Sequence, residues 1–337
     1  MSGDERGTVR AGYDVVVVGG GAAGLSGALT LARARRSVLV VDAGAPRNAP
    51  ADAVHNYLGR EGTPPLDMLA QGRREVAGYG GTVLTGTVRG VDRLADDPEG
   101  HRFRVRLDDG RVVRARRLRV TAGLVDELPP VPGLADRWGR DVLHCPFCHG
   151  REVAGRRVGV LATSPVAVHQ ALMWRSWTDD VVLLRHPGLV LDDEQAEQLA
   201  ARGVAVVDGE VTGLELTGGA LSGVRLADGR VVAVAALVVF APVAARAAFL
   251  ADLGLATAPL EANGVVLGTR VPSGPAGATD VPGLRVAGSL VDPMSQVIAA
   301  AASGLTAAAA LVAEFVAEEN AAAVEEHRAR DRRYVPA

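Results

Sequence analysis

The only two cysteines in the 337 residues stand in Cys145-Pro146-Phe147-Cys148-His149-Gly150, separated by two residues. A Cys-x-x-Cys pair closes a small disulfide and reopens it by thiolate attack, so it can store two electrons. The same spacing offers half of a zinc site, but a structural zinc needs a second pair of Cys or His at similar spacing. His144 and His149 flank the motif and no second pair follows. Redox chemistry without a metal is therefore the expectation. His149 is the first candidate for the base that moves thiol protons, and His144 the second. The chain has no lysine, so all 36 Lys and Arg positions are arginine and Schiff-base chemistry is excluded.

At 337 residues the chain has room for two domains, and 48% hydrophobic with 22% charged residues marks it as globular. A net charge of −3 gives no electrostatic footprint for nucleic acid or a membrane surface. Residues Met1 to Tyr13 are polar and lack the basic start, apolar run and cleavage site of a signal peptide. No apolar stretch free of glycine turns and charges reaches membrane-spanning length. A soluble cytoplasmic protein is expected, and in a reducing cytosol a lone Cys pair is catalytic rather than structural.

The elements that must position the pair begin with Asp14 to Val18, a valine run that reads as a buried parallel strand. Gly19-Gly20-Gly21-Ala22-Ala23-Gly24 follows, with Gly19, Gly21 and Gly24 in the G-x-G-x-x-G spacing. The first glycine allows the tight turn, the second admits a pyrophosphate, and the third lets the helix pack on the strand. A helix over Leu25 to Arg35 and a strand over Ser37 to Val41 lead to Asp42, placed to bind ribose hydroxyls. Together these predict a dinucleotide site. The long loop Ala43 to Gly62 carries Arg47, Asn48, His55 and Asn56, and a long excursion there suits FAD, whose flavin must be covered. A helix over Leu66 to Tyr79 is expected, then strands over Gly81 to Val91, Phe103 to Leu107 and Val112 to Val120. The small residues of Thr121-Ala122-Gly123 let the chain pass close to the cofactor's adenine side.

After a Pro-rich linker at Pro129 to Gly133 and the cysteines, a second α/β unit follows. It alternates a strand over Arg157 to Leu161, a helix over Val166 to Trp177, a strand over Val181 to Leu184 and a helix over Asp192 to Arg202. Trp174 and Trp177 on its first helix read as core. Where a nucleotide loop is due, the sequence gives Ala162-Thr163-Ser164-Pro165-Val166-Ala167. Side chains there obstruct a pyrophosphate and proline removes an amide donor. Arg185 alone stands where a basic cluster for a 2′-phosphate is expected. The unit reads as a nicotinamide domain in which NADPH binding is lost or greatly weakened. The last segment returns to the first domain. Gly283 to Ser289 is a strand ending in a small turn, and a long Ala-rich helix is expected over Met294 to Glu318. Its start near Gln296 and Val297 can aim amides at the pyrimidine end of a flavin. The charged tail from Glu325 is expected to fray.

Over nearly its full length the chain resembles the low-molecular-weight thioredoxin reductases. The matching features are the glycine loop, Asp42, Thr121-Ala122-Gly123, the Cys pair and the Ala287-Gly288 turn. The resemblance implies an α/β fold of two Rossmann-like domains, each a three-layer ββα sandwich. It implies a discontinuous FAD domain over 1–124 and 244–337, around a degenerate nicotinamide-type domain over 125–243. It also implies a homodimer, with Cys148 against the flavin and Cys145 facing substrate. His149 and Ser289 stand where the reductases usually carry Asp. A Cys-Pro-aromatic-Cys-His-Gly motif beside a damaged nicotinamide loop is similar to the reductase-like dithiol oxidases. Those close disulfides in natural products such as gliotoxin, holomycin and romidepsin and pass the electrons to molecular oxygen. A small-molecule dithiol substrate and FAD are implied. The rival expectations are an NADPH-dependent disulfide reductase and a flavin–thiol redox sensor.

Overall fold

The computed structural model describes residues 9–95 and 97–333. The first eight residues of the polar start and residues 334–337 of the tail lie outside it. The chain opens with β1 (Gly12–Val18), α1 (Ala22–Arg33), β2 (Val38–Asp42), α2 (Pro65–Gly78) and β3 (Thr82–Thr85). β4 (Val88–Arg93), β5 (Phe103–Leu107) and β6 (Val112–Val120) follow. β1 lies between β2 and β6, parallel to both. Both faces of β1 are buried from Val15 to Val18, which is why that stretch is all valine. Val15 and Val17 pack under the helices, while Val16 and Val18 pack under the β4–β5 layer. The single strand expected over 81–91 is broken at Gly86-Thr87. The Gly86 amide donates to the Asp42 carbonyl and the Thr87 amide to the Asp108 side chain. The chain thereby leaves the parallel part of the sheet and enters its antiparallel extension, where β5 pairs with β6.

β7 (Leu124–Asp126) carries the chain out of this domain to α3 (Leu134–Arg137), β8 (Val142–Leu143) and α4 (Pro146–His149). The second domain continues with β9 (Val158–Ala162), α5 (Val166–Trp174), β10 (Val181–Arg185), α6 (Asp193–Ala201) and β11 (Ala205–Asp208). An antiparallel layer of β12 (Val211–Thr217), β13 (Ala220–Leu226) and β14 (Val231–Ala233) precedes β15 (Ala236–Val239). The parallel sheet has the order β11-β10-β9-β15-β8. Helices cover one face and the antiparallel layer the other, so the ββα layering is repeated. Asp192 closes a reciprocal capping box with Gln195 at the start of α6. α5 ends at Trp174, three residues before the expected end, because the amides of Ser176 and Trp177 tighten onto carbonyls three residues back.

β16 (Val243–Ala245) returns antiparallel to β7. β17 (Ala258–Ala262), β18 (Val265–Arg270) and β19 (Leu284–Val286) lead to α7 (Val297–Arg333). β19 joins the first parallel sheet beside β6. α7 starts three residues later than expected and does not fray at Glu325. Ala-rich propensity carries it on to Arg333, and exposed pairs such as Glu326–Arg330 support its last turns. By length and composition α7 is apolar enough to cross a membrane, contrary to the expectation from sequence. Its Ala308, Leu311 and Phe315 are packed into the core of the first domain.

Candidate active site

One cavity of about 1240 Å³ runs between the two domains. Gly19, Gly21, Ala22, Ala23, Asp42, Ala122, Gly123, Gly288, Ser289, Gln296 and Val297 line it. So do Arg47, Asn48, His55, His144, Cys145, Cys148 and His149. Gly24 and Asn56 do not. Gly24 works from behind: a Cβ there would lie 1.8 Å from the Gly19 carbonyl oxygen, so only glycine lets α1 seat on the loop. Gly19 has φ +98 and turns the chain. A Cβ built on Gly21 meets nothing within 4 Å. That open space is the cradle a diphosphate needs, and no side chain caps α1, so its first amides are left for the ligand. Asp42 accepts from the Gly20 amide at 3.1 Å and from Arg73 at 2.7 Å. The residues present fit FAD: Gly21 to Ala23 would hold the diphosphate, Asp42 the ribose, and Gly288 to Val297 the flavin end.

Cys145 and Cys148 sit at the two ends of a single turn, with Sγ atoms 2.9 Å apart. The Cys148 thiol, the Cys148 and Phe147 amides and the Arg47 charge bring the Cys145 thiol down to about 7, against the effect of its burial. Cys148 is pushed up, because its proton is shared with Cys145 and because it is buried. Gly150 lets the turn close: a Cβ there would fall 2.5 Å from the Pro146 carbonyl oxygen and 2.7 Å from Trp177. Trp174 is fully buried as expected, while Trp177 stands edge-on to Phe147 at 5.4 Å and walls the Cys turn.

Both flanking histidines are held neutral. Burial lowers His149. Burial and the nearby Arg47 charge bring His144 down to about 4. His144 stacks on Trp138 at 5.4 Å, and Trp138 donates to Asp126. Burial disfavours the Asp126 charge, but the Arg47 guanidinium outweighs it and holds the carboxyl below its ordinary range. Arg47 is thus tied to β7 while its side chain faces the cavity. Asn48 lines the same wall. His55 is flanked by Glu61 at 2.6 Å and Glu152 at 3.4 Å. Asn56 has a left-handed backbone whose amide is held by Glu61, and this turns its side chain to the Phe147 carbonyl at 2.5 Å. Arg73, Asp126 and Trp138 were not foreseen from sequence, since nothing in their spacing marks residues that reach the site only by tertiary packing.

The start of α5 carries side chains where a nucleotide loop is expected, and Pro165 and Val166 border the cavity. Ala162 is fully buried, and Ser164 Oγ accepts from the Val166 amide at 3.2 Å. Arg185 is held by Asp208 at 2.5 Å. Among the described residues, the Cys pair and its histidines do not gather as a metal-ligand cluster. The one such grouping is Asp97, Glu99 and His101, where Arg114 already pairs with Asp97.

The solved structure of HlmI is 43% identical, covers 98% of this chain and 99% of that one, and superposes with a TM-score of 0.87. An oxidoreductase from Agrobacterium tumefaciens is 35% identical over 90% of this chain and 98% of its own, with a TM-score of 0.81. Among curated proteins, thioredoxin reductase aclD of Aspergillus oryzae is 38% identical over 46% of this chain and 49% of its own length. Thioredoxin reductase tcpT of Claviceps purpurea is 34% identical over 47% and 50%. The chain therefore spans about half the length of these curated relatives. The family description "pyridine nucleotide-disulphide oxidoreductase" matches residues 13–304, from β1 through the glycine loop and the Cys turn into α7. With the diphosphate cradle and the dithiol opening on one cavity, the chain belongs to the pyridine nucleotide-disulphide oxidoreductases, with FAD as its cofactor.

Proposed function

We propose that this chain is an FAD-dependent dithiol oxidase that forms an intramolecular disulfide in a small natural-product dithiol, with molecular oxygen as electron acceptor. The observation that carries this reading is the contrast between the two Rossmann-type loops. The first leaves open space at Gly21. The second has its helix start occupied by Ser164 and Pro165, and its lone arginine is held by Asp208. The Cys pair opens on the same cavity as the first loop. The similarity to HlmI over the whole chain, and to thioredoxin reductases named aclD and tcpT, supports disulfide oxidoreductase chemistry at this Cys pair.

Starting from the oxidised pair, a substrate thiol attacks Cys145 Sγ. The substrate–Cys145 bond forms as the Cys145–Cys148 bond breaks. Cys148, the less acidic thiol, leaves well only if protonated, and neutral His149 takes the substrate's proton and delivers it there. The second substrate thiol then attacks the substrate sulfur of the mixed disulfide, again losing its proton to His149. Cys145 leaves as a thiolate, which its lowered pKa favours. The product is one substrate disulfide, and two electrons rest on the Cys pair. When bound, FAD supplies acceptance of those electrons and their transfer to oxygen, with hydrogen peroxide as by-product. The exposed apolar side chains of α7, among them Ile298, Leu305 and Val316, support a homodimer as the working unit.

The test is anaerobic mixing of the FAD-loaded protein with a small dithiol and, separately, with NADPH. Bleaching of the flavin band by dithiol alone, reversed by air with peroxide release, is expected. Bleaching by micromolar NADPH within one turnover makes the chain a reductase instead. Inert behaviour towards every dithiol leaves only the redox-sensor reading.

A further inference from the structure

β6 sends two arginines towards the helix layer. Arg117 is answered by Glu314 at 3.0 Å and by Glu318. Arg119, two residues on, is fully buried and makes no ion pair among the described residues. Its Nη2 donates to the Ala23 carbonyl at 2.6 Å and its Nη1 reaches the Gly24 carbonyl at 3.5 Å. Its Nε has no partner. The neighbouring helices are cut away to admit it: a Cβ on Gly27 would fall 1.5 Å from Nη1, and one on Gly304 2.8 Å from Nη2.

A buried charge without a counter-charge is strongly unfavourable. This one also sits beneath the first turn of α1, whose N-terminal end already carries positive potential. The acids of α7 are committed elsewhere, Glu314 to Arg117 and Arg285 and Glu318 to Arg117. The same first turn presents the Gly21 to Ala23 amides to the cavity on its other side. The anion that this turn is built to receive is a diphosphate.

We propose that Arg119 is a positioning residue whose buried charge is the counter-charge of the FAD diphosphate, so that the stability of the fold is conditional on the cofactor. The charge acts across α1 without touching the ligand, and it weakens the empty protein while it strengthens FAD binding.

The experiment compares the parental protein with Arg119→Met and Arg119→Gln, the latter keeping donors for the two carbonyls. FAD affinity is read by flavin fluorescence on deflavinated protein, and melting temperature is read with and without saturating FAD. Both variants are expected to bind FAD about tenfold or more weakly. Their empty forms melt no lower than the parental empty form, so the melting shift on adding FAD shrinks. Arg119→Lys, which keeps the charge, retains most of the affinity. Parental FAD affinity in Arg119→Gln overturns the proposal. Equal losses of melting temperature with and without FAD, or failure of both neutral variants to fold in either state, make the residue merely structural and also overturn it.

Discussion

Cys145 and Cys148 belong to one turn, yet their acidities are driven apart. Cys145 receives a thiol and two amide hydrogen bonds, and Cys148 gives its proton away. Only the thiolate is alkylated at a useful rate. Labelling of the reduced protein with iodoacetamide is therefore expected to fall on Cys145, rising with pH through a midpoint of about 7. Cys148 stays unlabelled through the neutral range. Equal labelling of both, or the midpoint of an ordinary thiol, removes the assignment of Cys145 as the sulfur that is attacked and then leaves. The glycine loop separates in the same way. Gly21→Ala has room in the empty protein and is expected to lower FAD affinity without lowering the melting temperature of the empty form. Gly24→Ala is expected to lower both, because its Cβ meets the Gly19 carbonyl. The Cys motif, the glycine spacing and Asp42 were legible in the sequence because their chemistry depends on local spacing. Asp126, Trp138 and Arg73 were not, because long-range packing brings them to the site and no local pattern records it. The lowering of the His149 pKa, caused first by its burial, is not legible in the sequence either.

At the scale of elements, β1 and β2 were legible because burial on both faces demands an unbroken aliphatic run, Val15 to Val18 and Val38 to Val41, and the alternation then assigns each side chain to one of two cores. The extension of α7 beyond Glu318 was not legible, since charge in the sequence suggested fraying and the helix instead continues on its own propensity. Where α7 meets the sheet, the buried ring of Phe315 is ringed by guanidinium groups. Arg36, Arg116 and Arg117 stand 4.7, 4.8 and 4.9 Å from its centroid. An aromatic face attracts each cation, and the nearby Glu314, Glu318 and Glu319 offset their mutual repulsion. Phe315→Leu keeps much of the volume and loses the π-face. It is expected to destabilise the protein by about 1–2 kcal/mol in chemical denaturation. An unchanged midpoint shows that apolar area alone holds α7 in place.

At the scale of the whole molecule, the Cys turn belongs to the second domain, yet it is fastened to the first. Asn56 donates to the Phe147 carbonyl between the two cysteines, and His55 stands beside Glu152 just beyond them. Arg47 and Trp138 meet on Asp126 of the crossing strand. A reductase must release such contacts to bring nicotinamide to the flavin. An oxidase has no such need, and here Ser164 and Pro165 stand where a nicotinamide loop is expected. The contacts are thus read as latches that keep the dithiol at the flavin end of the cavity. Asn56→Gly tests this, because glycine keeps the left-handed backbone at φ 58 and removes only the amide. Loss of one neutral hydrogen bond corresponds to about fivefold. Anaerobic flavin reduction by dithiothreitol is expected to slow by about that factor, while FAD affinity is unchanged because Asn56 does not line the cavity. Weaker FAD binding with a normal rate at saturation returns Asn56 to the cofactor-ligand role that its place in the sequence suggests. The two outcomes differ in what the loop after Asp42 is for: a cover over the flavin, or the fastening that holds the Cys turn of the second domain against the first.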